Sequence, residues 1–492
     1  MIDRQQETPL FTALLQHAAR DPIQFHIPGH KKGQGVASDF RAYIGMNAFA
    51  IDLVNIAPLD DLHHPKTIIH AAQCLAAEAF GAEHTYFNVQ GTSGAIMTMV
   101  MSVCGPGDKI VVPRNVHKSV LTAIVLSGAH PIFMHPEIDT RVGIAHNVSV
   151  ETVRHTLEWH PDAKALLLIN PTYFGMSTDL ETIVALAHVR NIPVLVDEAH
   201  GAHIHFHPQL AKSAMQAGAD MAATSIHKLG GSMTQSSILN VQGALVNPGH
   251  VQSILSMLTT TSTSYLLLAS LDTARKQLAI KGQELLEQAI ELSRWARQRL
   301  NEMDGLYCFG EEIVGHSSTF ALDPTKLTVT VKDLGLSGHD VEVLLRTDYN
   351  IEVELSDLYN VLCVVSFGDT KANILALVNA FSEISANYYQ GSATKSVRVK
   401  MASMPLLAML PRDAFYAPTE LVPIEQAVGR TIAEFVTVYP PGIPIFMPGE
   451  VVTADNIDYL REHIEEGLPV LGPDDPTIER VRVVRQFPDS NG

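Results

Sequence analysis

No stretch of the chain reaches the roughly 18 consecutive apolar residues that a membrane-crossing helix needs. The first ten residues, MIDRQQETPL, hold no apolar core of the kind that opens a secretory leader. The expectation is a cytoplasmic protein, neither secreted nor membrane-spanning. Cysteine is scarce: Cys74, Cys104, Cys308 and Cys363 are scattered, with no C-x-x-C pair, which fits reduced thiols. Positive charge is outnumbered, 34 Lys and Arg against 52 Asp and Glu, for a formal net charge of −18. That balance disfavours a nucleic-acid partner. It could steer a cationic substrate, although solubility alone explains it as simply. There is no G-x-x-x-x-G-K-[ST] loop, no internal repeat and no low-complexity tract. What the chain does have is 46% hydrophobic and 17% charged residues, the composition of a globular protein with a large core rather than a disordered one. Its 492 residues suggest about three domains.

From about residue 66 to 245 helical stretches (66–80, 94–103, 116–128, 150–160 and 180–189) separate short apolar runs. Those runs (109–113, 131–134, 165–169, 193–196, 221–224 and 237–241) are apolar at nearly every position, as strands covered on both faces are. The alternation predicts an α/β domain with a mainly parallel sheet and right-handed crossovers. Before it lie a polar helix over 9–19 and the His/Lys/Gly/Pro loop Phe25-His26-Ile27-Pro28-Gly29-His30-Lys31-Lys32-Gly33. That loop reads either as a surface turn or as one wall of a site, and Asp60-Asp61-Leu62-His63 reads the same way. Residues 246–300 are helical, with Leu285, Ala289, Leu292 and Ala296 on one stripe. The hydroxyl-rich run 258–265 precedes that stripe. Strand patterns at 326–331, 351–355 and 362–366 predict a smaller α+β domain. Residues 389–396 read as a linker, and 397–492 as a third unit holding the Pro-rich run Tyr439-Pro440-Pro441-Gly442-Ile443-Pro444-Ile445-Phe446-Met447-Pro448-Gly449-Glu450.

Three strand ends carry chemistry. Ligands of open α/β sheets bind beyond the carboxyl ends of the strands, and Asn170, Asp197 and Lys228 all lie at or just past such ends. Lys228, in Ser225-Ile226-His227-Lys228-Leu229-Gly230-Gly231, reads as a buried lysine whose neutral amine can form a Schiff base with an aldehyde cofactor. Asp197 can pair with a pyridinium nitrogen or cap its strand. Gln90-Gly91-Thr92-Ser93-Gly94 opens a helix, either as an ordinary N-cap or as a phosphate cradle of hydroxyls and N–H groups. His117 either covers a face of an aromatic cofactor or simply starts a helix. Taken together these residues read as a pyridoxal 5'-phosphate (PLP) site. Asp197-Glu198-Ala199-His200 also spells a helicase-type box, which fails for want of the phosphate loop. His200, His203, His205 and His207 invite a metal reading, but no acidic or cysteine ligand completes a set, so polar packing is preferred and no metal is expected.

These motifs, in this order from the His26–Gly33 loop to the run ending at Glu450, resemble the Orn/Lys/Arg decarboxylases of PLP fold type I, and within them the short biosynthetic form of Bacillus-type bacteria. The resemblance covers nearly the whole chain. It implies an aspartate aminotransferase-like fold: an N-terminal arm (1–30), a PLP-binding large domain (31–275), a small α+β domain (276–390) and a C-terminal α+β domain (391–492). It implies that Lys228 holds the cofactor, Asp197 pairs with the pyridinium nitrogen and His117 stacks on the ring. Thr92, Ser93 and Ser225 would hold the phosphate. Gly94, Ala199 and His200 would also line the cofactor, His200 standing where longer relatives carry a tryptophan. His227 would lie beside the Schiff base, and His227 or Lys228 would return a proton to Cα. Glu354 is implied as the carboxylate for the substrate's distal cation, with Asp357 as a second acceptor. Thr261 and Ser262 would reach the phosphate of a neighbouring subunit in a homodimer or tetramer with composite sites, rather than in the decamers of the longer forms. The implied reaction is decarboxylation of L-arginine to agmatine and carbon dioxide, serving polyamine synthesis. Lysine or ornithine is the alternative substrate. An aminotransferase of the same fold and an inactive binding subunit are the rival classes.

Overall fold

Seven strands alternate with helices in chain order: α1 (Ile68–Phe80), β1 (His84–Asn88), α2 (Gly91–Val103), β2 (Lys109–Pro113), α3 (Lys118–Ser127), β3 (His130–Met134), α4 (Val150–Trp159), β4 (Ala165–Ile169), α5 (Leu180–His188), β5 (Val194–Asp197), β6 (Met221–Thr224), β7 (Ser237–Val241), α6 (Pro248–Leu258) and α7 (Tyr265–Asn301). β2, β4, β5, β6 and β7 are buried along almost their whole length, which is why their sequences are mostly apolar instead of alternating. The computed structural model describes residues 2–315, 318–391, 403–438, 443–465 and 470–486. Most of the 389–396 linker and the Tyr439–Gly442 part of the Pro-rich run lie outside the described residues.

The chain forms two compact units. The first comprises residues 1–103, 169–171 and 180–288. In it the strand order is β1-β7-β6-β5. β5 and β6 are parallel, with Leu195 opposite Met221. β7 runs antiparallel to β6, and β1 antiparallel to β7. The two reversals cancel, so β1, β5 and β6 all point their carboxyl ends to one edge. A purely parallel run does not exist here, because the connection from β6 to β7 holds only one helical turn, Ile226–Leu229, and a parallel return needs a longer crossover. α2 packs on β6 and β7 and against α6. The N-terminal helix Pro9–Ala19 buries Leu10 and Leu14. Its first-turn N–H groups of Leu10 and Phe11 donate to Asp272 of α7, 3.0 and 3.2 Å away, satisfying donors that a helix start leaves open.

The second unit comprises residues 104–168, 172–179 and 289–492. Here β4, β2 and β3 lie in that order and all are parallel. A separate antiparallel sheet has the order β8 (Tyr307–Cys308), β9 (Lys326–Thr330), β11 (Asn360–Val364), β10 (Leu355–Ser356). The strand expected over 351–355 shrinks to the two residues of β10 because the segment before it makes only one ladder bond, Glu354 N–H to Leu362 O at 3.0 Å. Towards the C-terminus β12 (Thr419–Pro423) pairs with β16 (Arg480–Val484), and β13 (Val436–Val438) lies between β14 (Ile443–Phe446) and β15 (Val470–Leu471). Val436, Phe446, Leu460 and Val483 form the core of this last region.

Candidate active site

The shared edge of β1, β5 and β6 gathers Thr92, Asp197, Ser225 and Lys228. β5 ends in Asp197, which is buried at 4% exposure. Burial pushes its carboxyl up to about 6, against the opposing pull of the Ala199 N–H, 3.2 Å from Oδ1, and of the Lys228 charge. Such a carboxylate is stable as an anion only with a cation facing it. The Asn170 N–H donates to the Asp197 carbonyl at 3.0 Å and fixes the strand end. Glu198 points the other way. Its two oxygens accept the Ala214 N–H at 2.6 Å and the Thr224 hydroxyl at 3.0 Å, so it pins β6 to the loop over β5. Burial, with a smaller push from the Asp197 charge, raises its carboxyl to about 7.

Past the end of β6, Ser225 starts the single turn Ile226–Leu229 that presents His227 and Lys228. Lys228 Nζ lies 2.8 Å from His200 Nε2. Lys228 is exposed in the single chain, so the expectation of a buried lysine is corrected. The turn carries the side chain outward, and what it meets is an imidazole rather than an apolar pocket. His227 Nδ1 is 2.9 Å from the Ser236 carbonyl. A carbonyl only accepts, so Nδ1 carries the proton and Nε2 is the acceptor in the neutral ring.

Thr92 and Ser225 hydroxyls touch. Thr92, Ser93 and Gly94 sit in the first turn of α2, whose N–H groups have no intrahelical partners. Asn88 shapes this turn, accepting the Gln90 N–H at 3.0 Å and donating to the Gly91 carbonyl at 2.8 Å. A side chain at Gly94 would stand 3.1 Å from the Asn88 amide, so the position favours glycine. Thr261 and Ser262 are exposed in the 259–264 link between α6 and α7. Asp60-Asp61-Leu62-His63 supports that link: His63 Nε2 meets the Thr260 carbonyl at 3.0 Å, and Tyr265 donates to the Asp60 carbonyl at 2.6 Å. The lysines of the 26–33 loop are tied down locally, Lys31 to the His26 carbonyl and Lys32 to Asp21 and the Pro22 carbonyl. The neighbouring histidines are occupied as well. His205 faces Ser213 at 3.0 Å and His207 faces Glu287 at 2.8 Å. Among the described residues no group of three or more His, Cys, Asp and Glu is placed to hold a metal.

His117, Glu354 and Asp357 belong to the second unit. His117 is the N-cap of α3: its Nδ1 accepts the Ser119 N–H at 3.2 Å and lies 2.8 Å from the Ser119 hydroxyl, and its ring is exposed. Glu354 is exposed, with Oε1 accepting the Tyr173 hydroxyl at 2.5 Å. Tyr173 is a residue that sequence reading missed, although its place just beyond the end of β4 was a signal. Asp357 is committed to a turn. It is buried and accepts the N–H groups of Tyr359 and Asn360, both at 2.8 Å, together with the Asn360 amide. Burial raises its carboxyl while these bonds pull it down. No oxygen of Asp357 is turned outward as the second acceptor that the sequence suggested.

The residue types fit PLP: an amine, a buried carboxylate beside it, and paired hydroxyls at the unsatisfied start of a helix. A protein of Bacillus anthracis named arginine decarboxylase is 64% identical over 485 residues, covering 98% of each chain. One of the same name from Bacillus subtilis is 62% identical over 483 residues, covering 98% of this chain and 99% of its own. The crystal structure of the Francisella novicida lysine decarboxylase superposes with a TM-score of 0.83 at 22% identity, over 97% of this chain and 81% of its own. The fold is PLP fold type I. The family model described as the Orn/Lys/Arg decarboxylase major domain matches residues 8–373, and the one for the C-terminal domain matches 394–470. The chain belongs to the Orn/Lys/Arg decarboxylase family.

Proposed function

We propose that the protein decarboxylates L-arginine to agmatine and carbon dioxide, and so supplies polyamine synthesis. The observation that carries this reading is the 62–64% identity, over nearly full length, to proteins named arginine decarboxylase. The site residues supply the chemistry. PLP, when bound, is the sink for the electron pair released as the Cα–carboxylate bond breaks. Asp197 would stand ionised against the pyridine nitrogen and keep it protonated. Thr92, Ser93, Ser225 and the start of α2 would hold the phosphate. Lys228 would anchor the cofactor, its Nζ shedding a proton to His200 Nε2, 2.8 Å away. His117 would cover the ring. Lys228 Nζ, or His227 Nε2 once it has itself gained a proton, would be the acid that returns a proton to Cα.

Glu354 is the distal-cation acceptor. Tyr173 holds Oε1 and leaves Oε2 for a guanidinium. Thr261 and Ser262 serve a neighbouring subunit in a homodimer or a larger even assembly.

The test is a parallel assay of L-arginine, L-lysine and L-ornithine with products identified by mass. Agmatine and carbon dioxide are expected, with kcat/KM for arginine about a hundred-fold above the other two. Cadaverine or putrescine as the main product replaces the substrate, and a keto acid without carbon dioxide replaces the reaction. Lys228→Ala is expected to abolish the visible absorbance of the bound cofactor together with turnover.

A further inference from the structure

The Pro-rich run ending at Glu450 has no part in the chemistry above, yet its described part, 443–450, grips a residue three positions before His117. Arg114 follows the last residue of β2 and is 2% exposed; Glu450 is 1% exposed. Their contact is bidentate, Nη1 to Oε1 at 2.6 Å and Nη2 to Oε2 at 2.8 Å. Arg114 Nε donates to the Pro444 carbonyl at 3.0 Å, Nη2 to the Ile445 carbonyl at 3.2 Å, and the guanidinium lies 4.5 Å from the centre of the Phe133 ring. Glu450 is itself held fast. Oε2 also accepts the Met447 N–H at 2.9 Å, and its carbonyl accepts the Ile432 N–H at 2.8 Å. The turn before it needs glycine: Gly449 has φ +97°, and a Cβ there would stand 2.2 Å from the Met409 carbonyl oxygen.

A buried ion pair of this kind is poor evidence of stabilisation, because well-packed apolar residues often do as well. What it provides is geometry. The Arg114 N–H extends the ladder to the Met134 carbonyl at 2.8 Å, Asn115 donates to the His146 carbonyl at 3.4 Å, Val116 is buried, and His117 caps α3. Three residues span at most about 10 Å, so displacement of the Arg114 anchor is passed to the cap. We propose that Arg114 and Glu450 are a positioning pair, through which the 443–450 segment fixes the β2–α3 loop and the orientation of the His117 ring. This rests on the reading of His117 as the residue that covers the cofactor ring.

The experiment uses the full-length protein and three variants: Glu450→Gln, His117→Ala, and Leu460→Ala, the last a cavity in the same C-terminal core. Amide hydrogen exchange over residues 113–121 is measured without cofactor, and cofactor affinity is measured by visible absorbance. Glu450→Gln is expected to speed exchange in the loop about ten-fold. It is also expected to weaken cofactor binding about ten-fold and to move the absorbance band in the direction that His117→Ala moves it. Leu460→Ala is expected to do neither. Wild-type exchange and affinity in Glu450→Gln, or the same changes in Leu460→Ala, overturn the proposal. If Glu450→Gln does not fold, the double variant Arg114→Met/Glu450→Met removes both charges together. A loosened loop in it supports the proposal and a wild-type loop overturns it. A silent His117→Ala defeats the His117 assignment and this inference with it, whereas an effect of His117→Ala beside a silent Glu450→Gln defeats this inference alone.

Discussion

Two adjacent carboxylates at the end of β5 have opposite tasks. Asp197 faces the lysine and requires a cation, while Glu198 faces inward and spends both oxygens on the backbone of Ala214 and the hydroxyl of Thr224. Both are raised by burial, to about 6 and about 7 from ordinary values of 3.8 and 4.5. The folded chain therefore keeps protons that the unfolded chain has already lost. Stability from this pair is full below the ordinary carboxylate values and is lost as pH rises through 6 and 7. Glu198→Gln keeps an acceptor for Ala214 and removes the buried charge. It is expected to stabilise the cofactor-free protein at alkaline pH by about 1–3 kcal/mol and to change little in mild acid. Thermal unfolding at the two pH values measures this, and equal effects at both would refute it. Nothing in the sequence separates Glu198 from Asp197, and only the partners of their oxygens do so.

At the scale of elements, α1 is held by a residue eight positions before its first turn. Its N-cap Thr67 makes no side-chain cap, and Asp60 substitutes, accepting the N–H groups of Lys66, Thr67 and Ile69 at 3.0, 2.8 and 3.1 Å. Burial works against this carboxylate, yet the backbone bonds hold it below its ordinary value. Its contribution is therefore present near neutrality and is lost in acid. Asp60→Ala is expected to cost about 1–2 kcal/mol in urea unfolding, with Asp60→Asn costing less.

The elements most legible in the sequence were those with the densest burial. The apolar runs at 109–113, 165–169, 221–224 and 237–241 are strands at those bounds. β1 escaped because His84-Thr85-Tyr86-Phe87-Asn88 mixes polar and aromatic residues, and its Thr85 hydroxyl bonds Asn240 in the neighbouring strand instead of packing. The antiparallel course of β7 was hidden for a related reason: apolar density reports burial on two faces, not direction. As candidates, Lys228 and Asp197 were legible from their places at strand ends and Thr92 from the helix it opens, whereas Ser225 came only with the family resemblance. Asp357 was not, because a turn-closing carboxylate and a ligand-binding one have the same spelling until their N–H partners are seen.

The first unit exposes large apolar side chains in residues 23–46: Ile23, Phe25 and Tyr43 are 87%, 95% and 91% exposed. Exposed apolar side chains are candidates for an interface where they form a contiguous patch, and Thr261 and Ser262 are exposed on the same unit. Self-association through this segment is the expected outcome. Phe25→Asp together with Tyr43→Asp should shift sedimentation towards a single chain and lower cofactor affinity. An unchanged assembly would exclude this segment from the interface.

The cancelling reversals of β7 and β1 also carry a consequence in time. The Thr92 and Ser225 hydroxyls that touch stand 133 positions apart in the chain. A ribosome adding roughly 5–20 residues per second makes Thr92 some ~7–27 s before Ser225. β7 supplies the ladder between β6 and β1, so on the proposed reading of Thr92 and Ser225 the expected outcome is that fragments ending before residue 241 emerge from synthesis unable to retain the cofactor.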